Sequence, residues 1–175
     1  MNSPTYTDEY AKLQADFHNQ RPDYGISGHK YADPIAQLAK NLNTRDILDY
    51  GCGKCTLQKS LPFPIQNYDP FILEFAARPS PADLVCCTDV MEHIEPDFIQ
   101  NVIQDIHSLT KVAAFFQIAT RPASKQLPDG RNAHLVIQPA NWWLQAFLPF
   151  FALKAFQELH GGFIMVVEPI RSEKP

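Results

Sequence analysis

The chain has no run of the roughly 18 apolar residues that a bilayer span requires. Its longest apolar stretch, Trp142 to Phe151, is broken by Gln145 and Pro149, so no membrane-spanning role is expected. It has no basic run either. Lys and Arg are scattered singly and the net charge is −4, which argues against a broad electrostatic footprint for nucleic acid. Met1 to Tyr10 is polar and acidic rather than basic and then apolar, so no secretory leader is expected and the protein is read as cytoplasmic. No second Cys-x-x-Cys or Cys-x-x-His accompanies Cys52-Gly53-Lys54-Cys55, and a structural zinc site needs four ligands. The cysteines (Cys52, Cys55, Cys86 and Cys87) read as reduced thiols packing like small hydrophobes, and no metal site is expected. Internal repeats and low-complexity linkers are also missing.

What remains is an ordinary globular composition. The 175 residues, 45% of them hydrophobic, suit one domain over 1–175 with a real core. A polar helix is predicted over 6–18, followed by a loop from His18 to Tyr31. Asp33-Pro34 reads as a helix start, with Asp as the cap and Pro in the first helical position. Strands are predicted at 46–50, 65–68, 83–87 and 112–119. Between them lie a short helix at 57–61 and a long one opened by Glu95-Pro96, with Phe98, Ile99, Val102, Ile103, Ile106 and Leu109 on one face. A helix over 141–147 carries Trp142 and Trp143, of which at most one can face the core. The hairpin 151–156 and 163–168 closes the chain. Strands alternating with helices imply an α/β fold: a mainly parallel sheet, helices on both faces and an antiparallel C-terminal hairpin. Ligands in such sheets sit at the carboxyl ends of the strands.

The sequence Asp46-Ile47-Leu48-Asp49-Tyr50-Gly51-Cys52-Gly53 runs a strand directly into glycines, which let backbone approach a ligand closely. Asp49, two places before the first glycine, repels a pyrophosphate but suits a cationic amino-acid moiety. Asp69, at the next strand end, is placed to accept both hydroxyls of a ribose. A nicotinamide site does not fit, because the dinucleotide fingerprint needs a glycine where this chain has Thr56.

Together these residues resemble the class I S-adenosylmethionine-dependent methyltransferases. Asp49, Gly51 and Gly53 match the family's acid-x-Gly-x-Gly motif, and Asp69 matches its ribose acid. The stretch Asp83 to Ile94, containing Thr88-Asp89-Val90-Met91-Glu92-His93, is similar to the motif of its fourth strand. The resemblance covers about Asp33 to Ala119 and implies S-adenosylmethionine as cofactor, held also by Tyr50, Cys52, Pro70, Thr88, Asp89 and Val90. Two departures stand out. Cys55 replaces the usual third glycine of the loop, and too few residues separate Asp69 from Asp83 for the family's third strand and its adenine-binding acid. Adenine is then expected against Pro70, Phe71 and Ile72.

Tyr24 to Tyr31 reads as a lid of an N-terminal unit spanning 1–32. Within it Ser27 and Gly28 lie near the cofactor, Lys30 pairs with its carboxylate and Tyr24 closes over its sulfonium. Asp89, His93 and His134 are the candidates for acid/base work. The implied acceptor is a small molecule, or a group presented by a partner. Thr88-Asp89-Val90-Met91 is not the Pro-Pro-aromatic sequence of enzymes that methylate amino groups of DNA bases, and no cysteine follows a proline. Degradation of the cofactor, a non-catalytic role as a methyltransferase-like partner subunit, and a homo-oligomer stay open.

Overall fold

β1 (Ile47–Tyr50) is buried along its whole length, as a strand with neighbours on both edges and helices on both faces must be. In a computed structural model, which describes residues 3–171, it lies within a six-stranded sheet. The other strands are β2 (Gln66–Tyr68), β3 (Ala82–Thr88), β4 (Thr110–Ala119), β5 (Phe151–Leu159) and β6 (Gly162–Pro169), in the order β2-β1-β3-β4-β6-β5. The first four run parallel, while β6 pairs antiparallel with both β4 and β5. Strand order reverses between β1 and β3, so their carboxyl ends frame the crevice where such sheets take ligands.

Side chains alternate across the sheet with period two and supply a core to each face. Leu48, Val85, Ala114, Phe116 and Ile118 pack with α4 (Ile99–Leu109) and α5 (Ala140–Phe147). Ile47, Leu84, Cys86, Ala113 and Phe115 face α2 (Ala32–Asn41) and α3 (Thr56–Ser60). Trp143 is fully buried in the first core, whereas Trp142 lies at the surface. Among the described residues no helix is long and apolar enough to cross a membrane.

Three expectations are corrected locally. α2 begins at Ala32 with no side-chain cap, because a 3-10 turn over Ser27–Tyr31 already feeds it; Asp33 and Pro34 sit inside the first turn, where the missing proline N–H costs nothing. Pro96 opens a 3-10 turn, Pro96–Phe98, that runs into α4 at Ile99. The helix predicted as merely polar, α1 (Asp8–Gln20), buries Tyr10, Gln14, Phe17 and His18 on one face. Thr7 caps it by accepting from the Tyr10 amide at 3.1 Å. Glu95 holds the Thr7 amide at 2.8 Å, tying α1 to the connection after β3.

Between β2 and β3 there is only a 3-10 turn, Leu73–Phe75, so the third strand of the resembled family is absent and β2, three residues long, forms one edge. β5 forms the other. Most of its residues are exposed, its register shifts between Leu153 and Ala155, and Lys154 pairs with Glu168 at 2.8 Å.

Two left-handed glycines separate crowding from strain. A Cβ on Gly53 (φ +52) would stand 2.4 Å from the Gly25 carbonyl oxygen, whereas one on Gly130 (φ +88) would meet nothing within 4 Å. Gly130→Ala should therefore cost about 1 kcal/mol of backbone strain, and Gly53→Ala at least about twice that. Denaturant midpoints of the two variants give the comparison; equal losses would refute the close contact.

Candidate functional site

The turn after β1 is left-handed at Gly51 and Gly53. The amides of Gly51 and Cys52 both donate to the Tyr68 carbonyl, at 2.7 and 3.0 Å, which locks the turn to the end of β2. Cys55, standing where the resemblance has a third glycine, is itself left-handed (φ 53). The turn thus keeps its shape without that glycine, at a strain of about 1–2 kcal/mol. The glycines also serve the protein before any ligand. A Cβ on Gly51 would meet Val90 Cγ2 at 2.4 Å, and Gly53 is pressed against Gly25. The close approach expected of a ligand is made here by the chain itself. Cys52 and Cys55 are free and buried, their sulfurs 3.7 Å apart, and burial pushes both thiols up.

Asp49 is 3% exposed, and its carboxylate accepts no hydrogen bond from any described residue. Burial, and then the charge of Asp69, pushes its carboxyl up to about 7. Asp69 is also buried, but it accepts from the Gly53 amide at 3.1 Å and the Phe71 amide at 3.0 Å. One carboxylate is therefore anchored by backbone and the other is left looking for a donor.

Three hollows meet at the strand ends, and Gly25 and Asp89 line all three. The first, about 80 Å³, lies between Tyr6, Tyr10, Tyr50, Asp69, Pro70 and Phe71, with Val90 and His93 on its other wall. Tyr6 and Tyr10 meet the Phe71 ring edge-on, at 5.0 and 5.9 Å, so the hollow has an aromatic side. The second, about 260 Å³, is polar, lined by Lys30, Tyr31, Gln117, Arg121 and His134 among others. The third, about 20 Å³, sits at the glycine turn between Gly28, Ser27, Asp49, Cys52 and Thr88.

The predicted lid is not an open loop. Ser27–Tyr31 is a 3-10 turn docked on the glycine turn. The Lys54 amide donates to the Gly25 carbonyl at 2.8 Å, Thr56 Oγ1 donates to the Ile26 carbonyl at 2.9 Å, and Ser27 Oγ donates to Asp89 Oδ2 at 2.6 Å. Tyr24 is wedged among Phe17, His18 and His93. Lys30 and Arg121 both line the polar hollow, and Asp49 lines the glycine-turn hollow.

Asp89, left-handed with φ 58, stands with His93 and His134, their ligating atoms within 4.8 Å of one another. The two imidazoles lie edge to face at 4.8 Å. Burial pulls His93 down to about 4, against the charge of Asp89, and the Ala133 carbonyl lies against the ring. Beside them is Glu92, to which no motif in the sequence assigns a role. It is fully buried; one oxygen accepts from the Ala119 amide at 2.6 Å, and the other has no hydrogen-bond partner among the described residues, though the Asp89 carboxylate stands close by. Burial, and then the charge of Asp89, lifts its carboxyl to about 8. Tyr10, Gln14 and His18 were also missed, although their spacing along α1 puts them on one helix face.

Glu92 gives a pH signature. Unfolded, it ionises near about 4; folded, only at about 8. Between these values the folded chain holds the extra proton, so stability falls as pH rises through that window. Glu92→Gln keeps an acceptor for Ala119 and removes the titration. Its melting temperature relative to the parent should rise by at least about 2–4 °C between about pH 5 and pH 8.5. A pH-independent difference would show that Glu92 titrates normally.

No protein-family model matches the chain, and no curated protein matches it by sequence. Solved structures do. It is similar to a 1,6-didemethyltoxoflavin-N1-methyltransferase from Burkholderia thailandensis with bound S-adenosylhomocysteine, at 15% identity over 98% of this chain and 94% of that one, TM-score 0.65. It is similar to the magnesium protoporphyrin IX methyltransferase of Synechocystis PCC 6803 with bound S-adenosylmethionine, at 11% identity over 96% and 100%, TM-score 0.64. A third is the N-methyltransferase NodS of Bradyrhizobium japonicum WM9 with S-adenosylhomocysteine, at 12% identity over 94% and 100%, TM-score 0.62. With its parallel core, its antiparallel β4-β6-β5 edge and these neighbours, the chain has the fold of the class I, Rossmann-like methyltransferases.

Proposed function

We propose that the chain binds S-adenosylmethionine across the ends of β1, β2 and β3 and transfers its methyl group to a small-molecule acceptor. The observation that carries this reading is Asp49, a buried carboxylate at the glycine turn whose side chain accepts no hydrogen bond from any described residue. Such a group is costly unless a cationic donor reaches it, and the amino group of the cofactor's methionine moiety is one. Asp69, held by two backbone amides, retains lone pairs for the ribose hydroxyls. Pro70, Phe71, Tyr6 and Tyr10 offer apolar and aromatic surface to adenine, taking the place of the missing third-strand acid. Ser27, Gly28, Cys52, Thr88 and Val90 enclose the remainder. The bound cofactor supplies an activated methyl group on a sulfonium; the protein must orient the acceptor and exclude water. Tyr24 and the docked 3-10 turn serve the second task. The polar hollow beyond Asp89 and His93 suits the acceptor, and the solved neighbours that hold S-adenosylmethionine or its demethylated product support the cofactor.

Calorimetry with S-adenosylhomocysteine should show one site of micromolar affinity, about −8 kcal/mol. Asp69→Ala should weaken it by about 1–3 kcal/mol, through loss of charge-assisted ribose hydrogen bonds. Because Asp49 ionises at about 7, affinity should climb between about pH 6 and pH 8, and Asp49→Asn should flatten that rise. No binding at millimolar ligand would refute the reading.

A further inference from the structure

We propose that Asp89, His93 and His134 form a binding site for one divalent first-row transition-metal ion, which holds an oxygen-bearing acceptor in the polar hollow. The ligating atoms already lie within 4.8 Å of one another; bonds of about 2.0–2.2 Å bring donor atoms to about 3–4 Å apart, so a small inward shift closes the set. Two imidazoles and one carboxylate on one side of an ion, with the remaining positions open, suit manganese, iron, cobalt or zinc rather than calcium or magnesium.

Contacts outside the cluster bear on the state of each ligand. His134 Nδ1 is 2.6 Å from the Arg121 carbonyl. A carbonyl can only accept, so Nδ1 carries the proton and Nε2 keeps its lone pair. For His93 the same assignment follows from a chain of hydrogen bonds. Tyr10 donates its hydroxyl proton to the His93 carbonyl at 2.5 Å, and Gln14 Nε2 donates to the Tyr10 oxygen at 2.5 Å. Gln14 Oε1 therefore faces Tyr24 and accepts its hydroxyl proton at 3.2 Å. The Tyr24 oxygen is left to accept from His93 Nδ1, 3.3 Å away, which leaves Nε2 free of its proton. The Ala133 carbonyl against this ring competes for the opposite tautomer in the metal-free chain. Asp89 is oriented by Ser27 at 2.6 Å in a left-handed conformation that strains a non-glycine residue.

A second observation points to a ligand in the same place. Gln117, 6% exposed, lines the polar hollow, and its Oε1 has no hydrogen-bond partner among the described residues. Lys30 and Arg121 line the same hollow and make no ion pair among the described residues. The hollow therefore pairs an ion-binding corner with unspent cations, which suits a hydroxyl compound that also carries an anionic oxygen. This part rests on the methyl-transfer reading. On the ion, the acceptor hydroxyl gives its proton to water. Its oxygen lone pair then attacks the methyl carbon, the C–S bond breaks, and the bonding pair returns to sulfur, turning sulfonium into thioether.

The test starts with metal-free full-length chain. Co²⁺ should bind with one-to-one stoichiometry and give a visible absorption band, and Zn²⁺ should shift the imidazole resonances of His93 and His134 and of no other of the six histidines. His134→Gln should weaken Mn²⁺ binding, read by calorimetry, at least about tenfold, with circular dichroism checking the fold. Acetohydroxamate, a bidentate oxygen chelator, should shift the Co²⁺ band by entering the open positions. No saturable binding below millimolar metal, or resonance shifts at other histidines, overturns the site. An unshifted band with acetohydroxamate overturns the acceptor assignment. S-adenosylhomocysteine binding to the metal-free chain is measured alongside: cofactor without metal defeats this proposal alone, and metal without cofactor defeats the methyl-transfer reading alone.

Discussion

Gly25 and Gly53 are in backbone contact, and the geometry of the site depends on that contact. A side chain on Gly53 would collide with the Gly25 carbonyl, and the Lys54 amide donates to the same carbonyl. This approach brings the Ser27–Tyr31 turn onto the end of β1, where Ser27 reaches Asp89 and Tyr24 reaches His93. α1 is fixed from its other end, through Thr7 and Glu95. The N-terminal segment is therefore a wall of the site, held at both ends by hydrogen bonds to segments far away in sequence.

The strand ends gather acids. Asp49, Asp69 and Glu92 are buried, and Asp89 stands among them. Taking carboxylates out of water is costly, and the chain offsets the cost unevenly. Asp69 receives two amides and Glu92 one, whereas Asp49 has none. The consequence is an interior biased toward cationic ligands, against a rim at Lys30 and Arg121 biased toward anionic ones. A ligand bridging the two regions would carry opposite charges at its two ends, or would be two ligands.

Much of this was legible in the sequence, for identifiable reasons. Parallel strands buried on both faces read as continuous apolar runs, so β1, β3 and β4 stood out. The glycines after Asp49, and the short interval between Asp69 and Asp83, were local features that fixed the turn and excluded a third strand. The aromatic wall was harder to see. Tyr10, Gln14, Phe17 and His18 share a helix face, but two of them are polar, so α1 read as a solvated helix. The contacts of Gly25 with Gly53 and of His93 with His134 join distant segments, and no local pattern encodes them. Asp89 and His93 share the connection after β3 while His134 follows β4, so no local spacing displays the three together.

Losing a strand from a sheet normally uncovers an edge onto which a foreign chain can add. Here the uncovered strand is β2, whose three residues give too short a ladder to hold a visitor. The longer opposite margin, β5, is interrupted at Lys154, where the register slips and a charged pair with Glu168 crosses the strands. A bulge and a lysine on an outer strand are the features that keep such margins from pairing with their own copies. The shortened sheet is thus protected from fibrillar growth at both ends, by brevity at one and by irregularity at the other.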